Sequence, residues 1–129
     1  MFPGRTLKIV FVLILALSMA LVVFPHTAAA QPVIEAFKLA IDTTGGIVAP
    51  GDVITYTISL PNLGDAAQVN DPAVNEFEDS IPANSTYVPF SETASSGTIS
   101  YDLFNNRIIW NGSIDPGVGN TVVLSFSVW

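Results

Sequence analysis

Apolar and polar residues alternate along several short segments of this chain, and the alternation constrains the fold more than any other feature. From position 54 to 60 the alternate residues on one face are Ile54, Tyr56, Ile58 and Leu60. From position 122 to 128 they are Val122, Leu124, Phe126 and Val128. A period of two residues predicts a β-strand with one buried face. Residues 31–129 have no helical period.

Other segments are predicted to be extended on weaker patterns. In 37–42 the alternation predicts that Phe37, Leu39 and Ile41 face the core and that Lys38 points to solvent. Short strands are also expected around Phe77 and over 86–90, 98–101 and 107–110. The pair Asn105-Asn106 predicts a two-residue hairpin turn, because asparagine tolerates the positive φ that such turns require.

About seven short strands separated by turns rich in glycine, proline and asparagine predict an all-β fold. We expect an immunoglobulin-like antiparallel β-sandwich of about seven strands, with a small open barrel as the alternative. Residues 31–129 are long enough for one domain with a packed core, and the chain has no cysteine for a disulfide.

The first thirty residues have the pattern of a helical signal peptide. Arg5 and Lys8 precede an apolar run over 9–24, and the small residues 28–30 offer a cleavage site. The run is shorter than the roughly 20 residues that cross a bilayer. We therefore expect residues 1–30 to be a signal peptide and the product to be secreted or at the cell surface. An uncleaved N-terminal anchor is the alternative.

Loss of the leader leaves two basic residues, Lys38 and Arg107, against eleven acidic ones, a formal charge of −9. It also removes His26, the single histidine, so residues 31–129 have neither imidazole nor thiol. Nucleic acid and anionic membranes are poor partners for such a surface. We expect no catalytic residue, cofactor or metal.

One dense group of carboxylates is a candidate calcium site. Asp71, Glu76, Glu78 and Asp79 lie within nine residues, and calcium prefers several oxygen ligands. The spacing fits no EF-hand loop, so a solvated acidic strand edge is the favoured interpretation. Glycoside hydrolysis by a carboxylate pair would need a cleft that no pattern here indicates, and we expect the protein not to be an enzyme.

Several motifs together resemble a known module. The segments 50–58, 79–82 and 108–114, with Pro116-Gly117 and the alternating strand 122–128, are similar in order to the conserved repeat domain of bacterial and archaeal surface proteins, known as domain of unknown function 11. The resemblance covers nearly all of 36–129. It implies an immunoglobulin-like extracellular module, usually one of several in a large envelope protein, with no assigned catalytic residue.

The expected function is a non-catalytic spacer or adhesion module of a prokaryotic envelope protein, with neighbouring repeats or other envelope proteins as partners. A glycan-binding module is the alternative. Aromatic side chains exposed in a row would favour binding, whereas buried aromatics with exposed threonine and serine would favour a spacer.

Overall fold

A computed structural model describes residues 29–129 of the chain. The predicted signal peptide therefore lies almost wholly outside the described residues. Within 29–129, none of the helical structure has the length and apolar character needed to span a membrane.

The described residues form two antiparallel sheets, as the alternation predicted. The strands are β1 (Phe37–Asp42), β2 (Ile54–Leu60), β3 (Phe77–Ser80), β4 (Thr93–Ala94), β5 (Thr98–Asp102), β6 (Arg107–Asn111) and β7 (Val122–Val128). One sheet has the order β1-β2-β7-β4 and the other β3-β6-β5. A single 3-10 turn, Val118–Asn120, precedes β7.

The two strands with the clearest alternation lie side by side in the centre of the larger sheet. Ile58 of β2 is opposite Leu124 of β7, and Tyr56 is opposite Phe126. Their inward residues meet Ile108 and Trp110 of β6 from the smaller sheet. The buried apolar core comprises Ile58, Leu60, Ile81, Tyr87, Ile108, Trp110, Ile114, Val122, Leu124, Phe126 and Val128.

The predicted orientation of β1 is wrong. The register places Lys38 opposite Ile58, so that Lys38 points inward and Phe37, Leu39 and Ile41 are exposed on the outer face. The Lys38 ammonium lies 2.5 Å from the carboxylate of Asp79 on β3 and 4.2 Å from the centre of the Tyr56 ring. This ion pair joins the two sheets where β1 and β3 are both edge strands. An inward charge with a partner also protects an edge strand from unwanted pairing.

Two local predictions also fail. Residues 86–90 form one isolated bridge, Tyr87 to Val128, where a strand was expected. The turn between β5 and β6 has four residues, because Asp102 pairs with Arg107, and only the second asparagine, Asn106, has a positive φ. The Asp102 carboxylate accepts hydrogen bonds from the N–H groups of Phe104 and Asn105, which stabilises this wider turn.

Two glycines make room for the largest core side chain. A Cβ atom on Gly97 would lie 2.7 Å from the indole nitrogen of Trp110, and one on Gly112 would lie 2.5 Å from the ring. The indole N–H donates to the carbonyl of Ser96 at 2.7 Å. Trp110 is therefore fixed both by packing and by a hydrogen bond.

One polar residue, Asn62, is completely buried. Its amide N–H groups donate to the carbonyls of Ala66 and Ile114, at 2.7 and 3.0 Å. Its carbonyl accepts from the N–H groups of Val33 and Gly64, at 3.1 and 3.0 Å. The side chain thus ties the entering chain, the loop after β2 and the segment after β6 together at one end of the sandwich.

Candidate binding pocket at the loop end

The other end of the sandwich, which we call the loop end, carries three connections. Asp42 and Ile54 border the β1–β2 loop and lie level with Val128, because Ile54 pairs with both. Tyr87 bridges to Val128, which places the segment 82–92 at the same level. The Tyr87 ring stacks on Tyr101, which lies beside the β5–β6 turn. The topology therefore brings these three connections to one end.

A cavity of about 680 Å³ opens at the loop end between the segment 82–92 and the β5–β6 turn. The walls are partly aromatic and apolar, formed by Tyr87, Pro89, Phe90, Tyr101 and Leu103. The Tyr87 and Tyr101 rings are nearly parallel, with centres 4.1 Å apart. The polar lining comes from Ser85, Thr86, Glu92, Ser100 and Asn106. Volume and lining are typical of a site for a small ligand or a side chain.

Hydrogen bonds of the two tyrosines hold the polar groups of the pocket in place. The Tyr87 hydroxyl donates to the Glu92 carboxylate and accepts from the N–H of Phe90 at 3.1 Å. The Tyr101 hydroxyl is 2.6 Å from the Asn106 side-chain oxygen. The carboxylate and the amide are therefore fixed by rings that also form the wall.

Residues with a positive φ are concentrated around this pocket. Within residues 29–129, three residues other than glycine have a positive φ, and these are Asn84, Phe90 and Asn106. Phe90 and Asn106 line the pocket, and Asn84 directly precedes the lining residue Ser85. Asparagine adopts this conformation readily, so the strain lies at Phe90, where it costs of order 1 kcal/mol or more, and such strain is often kept at functional sites.

Large apolar side chains project from all three connections. Phe90 is 94% exposed and Phe104, in the β5–β6 turn, is 99% exposed. Leu103 of the same turn and Ile47 and Val48 of the β1–β2 loop are also exposed. Apolar surface gathered on loops, beside a strained pocket, is characteristic of an interaction surface.

An ion pair supports the β5–β6 turn beside the pocket. Arg107 pairs with Asp102 at 3.1 Å and with Glu78. The hydrogen bond from the Asn105 side chain is the main influence that holds the pKa of Asp102 below its ordinary value of 3.8, with further contributions from the Asn105 N–H and Arg107. The turn that carries Leu103 and Phe104 is therefore fixed at its base by a charged carboxylate.

The acidic group considered for calcium is not assembled into a cage. Glu76 accepts from the N–H groups of Asp71 and Gly112, whereas Glu78 pairs with Arg107 and Asp79 with Lys38. Within residues 29–129, no three acidic side chains are grouped as a metal site. These carboxylates serve as partners for backbone N–H groups and for the two basic side chains.

The pocket itself was not among the sites predicted from the sequence, which named no catalytic, cofactor or metal residue. Its lining comes from two segments that are separated in the sequence, and the largest contribution comes from the residues 86–90 that were predicted as a strand. No family model, no curated protein and no solved structure matches the chain.

Proposed function

We propose that the chain is a non-catalytic, exported module of a prokaryotic envelope protein that acts in adhesion through its loop end. The observation that carries this proposal is the exposure of Phe90 and Phe104 on connections that meet at one end of the sandwich. Of the two roles expected for the module, spacer and adhesion, this exposure favours adhesion. A spacer has no need of apolar tips in water.

The arrangement of the core agrees with an adhesive module. Trp110 and Phe126 are buried between the sheets, whereas Phe90 and Phe104 at the loop end are exposed and take no part in the core. Both basic residues of 29–129 are engaged in ion pairs, and the net charge of this part of the chain is strongly negative. A high negative charge favours solubility, while the apolar side chains at the loop end remain available for contact.

The immunoglobulin-like type belongs to the same proposal. Seven strands divided four and three match the number and division of an immunoglobulin constant-type sandwich. The strand order differs from that type by an exchange of two strands. In the constant type the fifth strand lies between the second and the fourth, and the seventh lies beside the sixth. Here β7 lies between β2 and β4, and β5 lies beside β6. Similarity to the conserved repeat domain of surface proteins and removal of residues 1–30 on export complete the proposal.

A bead assay tests the adhesive role. Beads coated with the full chain are incubated with envelopes of the organism that encodes it, and the bound fraction is compared with that of beads carrying Phe104→Ser. We expect the substitution to reduce binding several-fold. Val118→Ser is the matched control, because Val118 is 73% exposed at the opposite end and its change should leave binding unaltered. Equal binding by all three proteins would refute adhesion through the loop end.

A glycan-binding module is the second candidate, and the pocket gives it a specific basis. The Tyr101 ring is part of a wall that also presents Ser100 and Asn106, and sugar recognition combines an aromatic face with hydrogen-bonding groups. A glycan array read with the chain and with Tyr101→Leu distinguishes this candidate. Binding to particular sugars that is lost in the variant would favour it over protein adhesion.

A further inference from the structure

The charge of the pocket is one-sided. Glu92 is the one carboxylate that lines it, and no lysine or arginine of residues 29–129 does. One oxygen of Glu92 accepts from the Tyr87 hydroxyl, and the other makes no hydrogen bond to any described residue. A ligand that enters this pocket therefore meets an aromatic wall and a carboxylate oxygen still able to accept.

The same chain already shows what this combination holds. Between the sheets, the Lys38 ammonium lies 4.2 Å from the centre of the Tyr56 ring and 5.3 Å from that of Phe126, and it pairs with the Asp79 carboxylate. Two aromatic rings and one carboxylate there bind a cation, as the negative ring faces and the carboxylate charge require. The pocket also has two aromatic rings and one carboxylate, Tyr87, Tyr101 and Glu92, but its rings stack on each other, so that only an outer ring face can meet a cation.

We infer that the pocket binds a basic side chain, arginine or lysine, from a partner protein. The inference rests on the proposed adhesive function and names the chemistry of its partner. Within 29–129 both basic side chains are held in ion pairs elsewhere, so the cation comes from another molecule. The acidic surface of the module, with eleven carboxylates against two basic groups after residue 30, attracts a basic segment.

Charge favours this occupant over a neutral sugar. A sugar that fills the pocket takes water from Glu92 without neutralising it, whereas a guanidinium or ammonium group neutralises the carboxylate and also gains from an aromatic face. The exposed side chains of Phe90 and Leu103 at the mouth then pack against the aliphatic part of the basic side chain and its neighbours.

The test uses two peptides of nearly the same shape, of which one carries a positive side chain and the other a neutral one. Acetyl-Gly-Arg-Gly-amide is titrated into the full chain against the same peptide with citrulline in place of arginine, and binding is followed by NMR of the tyrosine rings. We expect the arginine peptide to shift the signals of Tyr87 and Tyr101 and to leave those of Tyr56 unchanged. The citrulline peptide, which has nearly the same shape without the charge, should bind about tenfold more weakly.

A pair of variants separates the pocket from the general charge of the surface. Glu92→Gln keeps an acceptor for the Tyr87 hydroxyl but removes the carboxylate charge, and should weaken binding of the arginine peptide about fivefold to tenfold. Asp115→Asn removes the same charge from an exposed position at the opposite end and should change binding less than twofold. An unchanged melting temperature in both variants shows that the fold is retained.

Two results would overturn the inference. Equal affinity for the arginine and citrulline peptides would mean that the pocket does not recognise charge, and no shift of the Tyr101 signal at tens of millimolar peptide would mean that it takes no basic side chain. Loss of bead adhesion in Phe104→Ser, together with either result, would leave the adhesive function standing and remove the cation pocket alone. Peptide binding without bead adhesion would support the pocket and refute the adhesive role.

Discussion

Asn62 provides the sharpest test of how this fold is held together. Its amide makes four hydrogen bonds to backbone groups from three segments, and the residue has 0% exposure. Each such bond contributes about 1 kcal/mol net, and its loss leaves a backbone group without its partner. We therefore expect Asn62→Ala to reduce the free energy of unfolding by about 4 kcal/mol. For a domain of this size the melting temperature should fall by roughly 15–30 °C.

The measurement is thermal and urea unfolding of the full chain followed by circular dichroism. Asn120→Ala is the matched control, because Asn120 is exposed and donates one side-chain hydrogen bond, to the Pro116 carbonyl at 2.9 Å. That change should cost well under 1 kcal/mol. If Asn62→Ala costs no more than Asn120→Ala, the reasoning that the buried amide ties three segments together is wrong.

A second substitution at the same position should make the stability of the fold depend on pH. Asn62→Asp places a carboxylate beside the carbonyl oxygens of Ala66 and Ile114, which accept hydrogen bonds from the amide N–H groups of Asn62. Burial and these oxygens raise the pKa of the introduced carboxyl in the folded state above its unfolded value of about 3.9. The folded protein then binds a proton more tightly than the unfolded one, so the variant should be least stable at neutral pH and should recover stability as the pH falls through the raised pKa.

Four further outcomes are expected. Asp79→Asn should lower stability by about 1 kcal/mol in urea unfolding, because it leaves Lys38 between the sheets without its carboxylate, and no loss would show that the pair does not stabilise the fold. Gly97→Ala should cost about 3 kcal/mol and Gly51→Ala about 1, since both have a positive φ but only Gly97 is crowded, and equal costs would exclude the steric explanation. Because the pKa of Asp102 is lowered in the folded state, the charged carboxylate stabilises the fold at neutral pH, and this stabilisation is lost as the pH falls below about 3.8. Asp102→Asn should therefore be less stable than the native protein at pH 7 and should lose less stability on acidification. Identical acid unfolding profiles of the two proteins would contradict this. Added calcium should leave the melting temperature unchanged, and a rise of several degrees would reveal a metal site.

The central strands could be predicted from sequence because both of their faces have a clear character. In β2 and β7 the inward positions are apolar and most of the outward ones are threonine or serine, so one arrangement alone buries the apolar set. The same reasoning gives the wrong orientation for strand β1. Its apolar residues 37, 39 and 41 are exposed because Lys38 turns inward to pair with Asp79 on β3. That partner lies 41 residues later in the chain, so the local pattern does not reveal it.

The pocket could not be predicted because its walls form only after folding. Residues 86–90 were predicted as a strand, yet the Tyr87 hydroxyl and its partners Phe90 and Glu92 hold them as a loop. The only local signal was the pair Leu103-Phe104 next to two asparagines, an apolar tip on a turn. Such a tip indicates exposure, but not the tyrosine stack and the carboxylate behind it.

The direction of the strands has a mechanical consequence. β1 and β7 both run antiparallel to β2, on either side of it, and β1 begins at the end where β7 also begins. Tension applied between Phe37 and Val128 would therefore act along the strands, and the six pairs of β1 with β2 and the seven pairs of β2 with β7 would share the load. Strand pairs loaded parallel to the strands in this way separate all at once, whereas strand pairs pulled apart sideways separate one residue pair at a time.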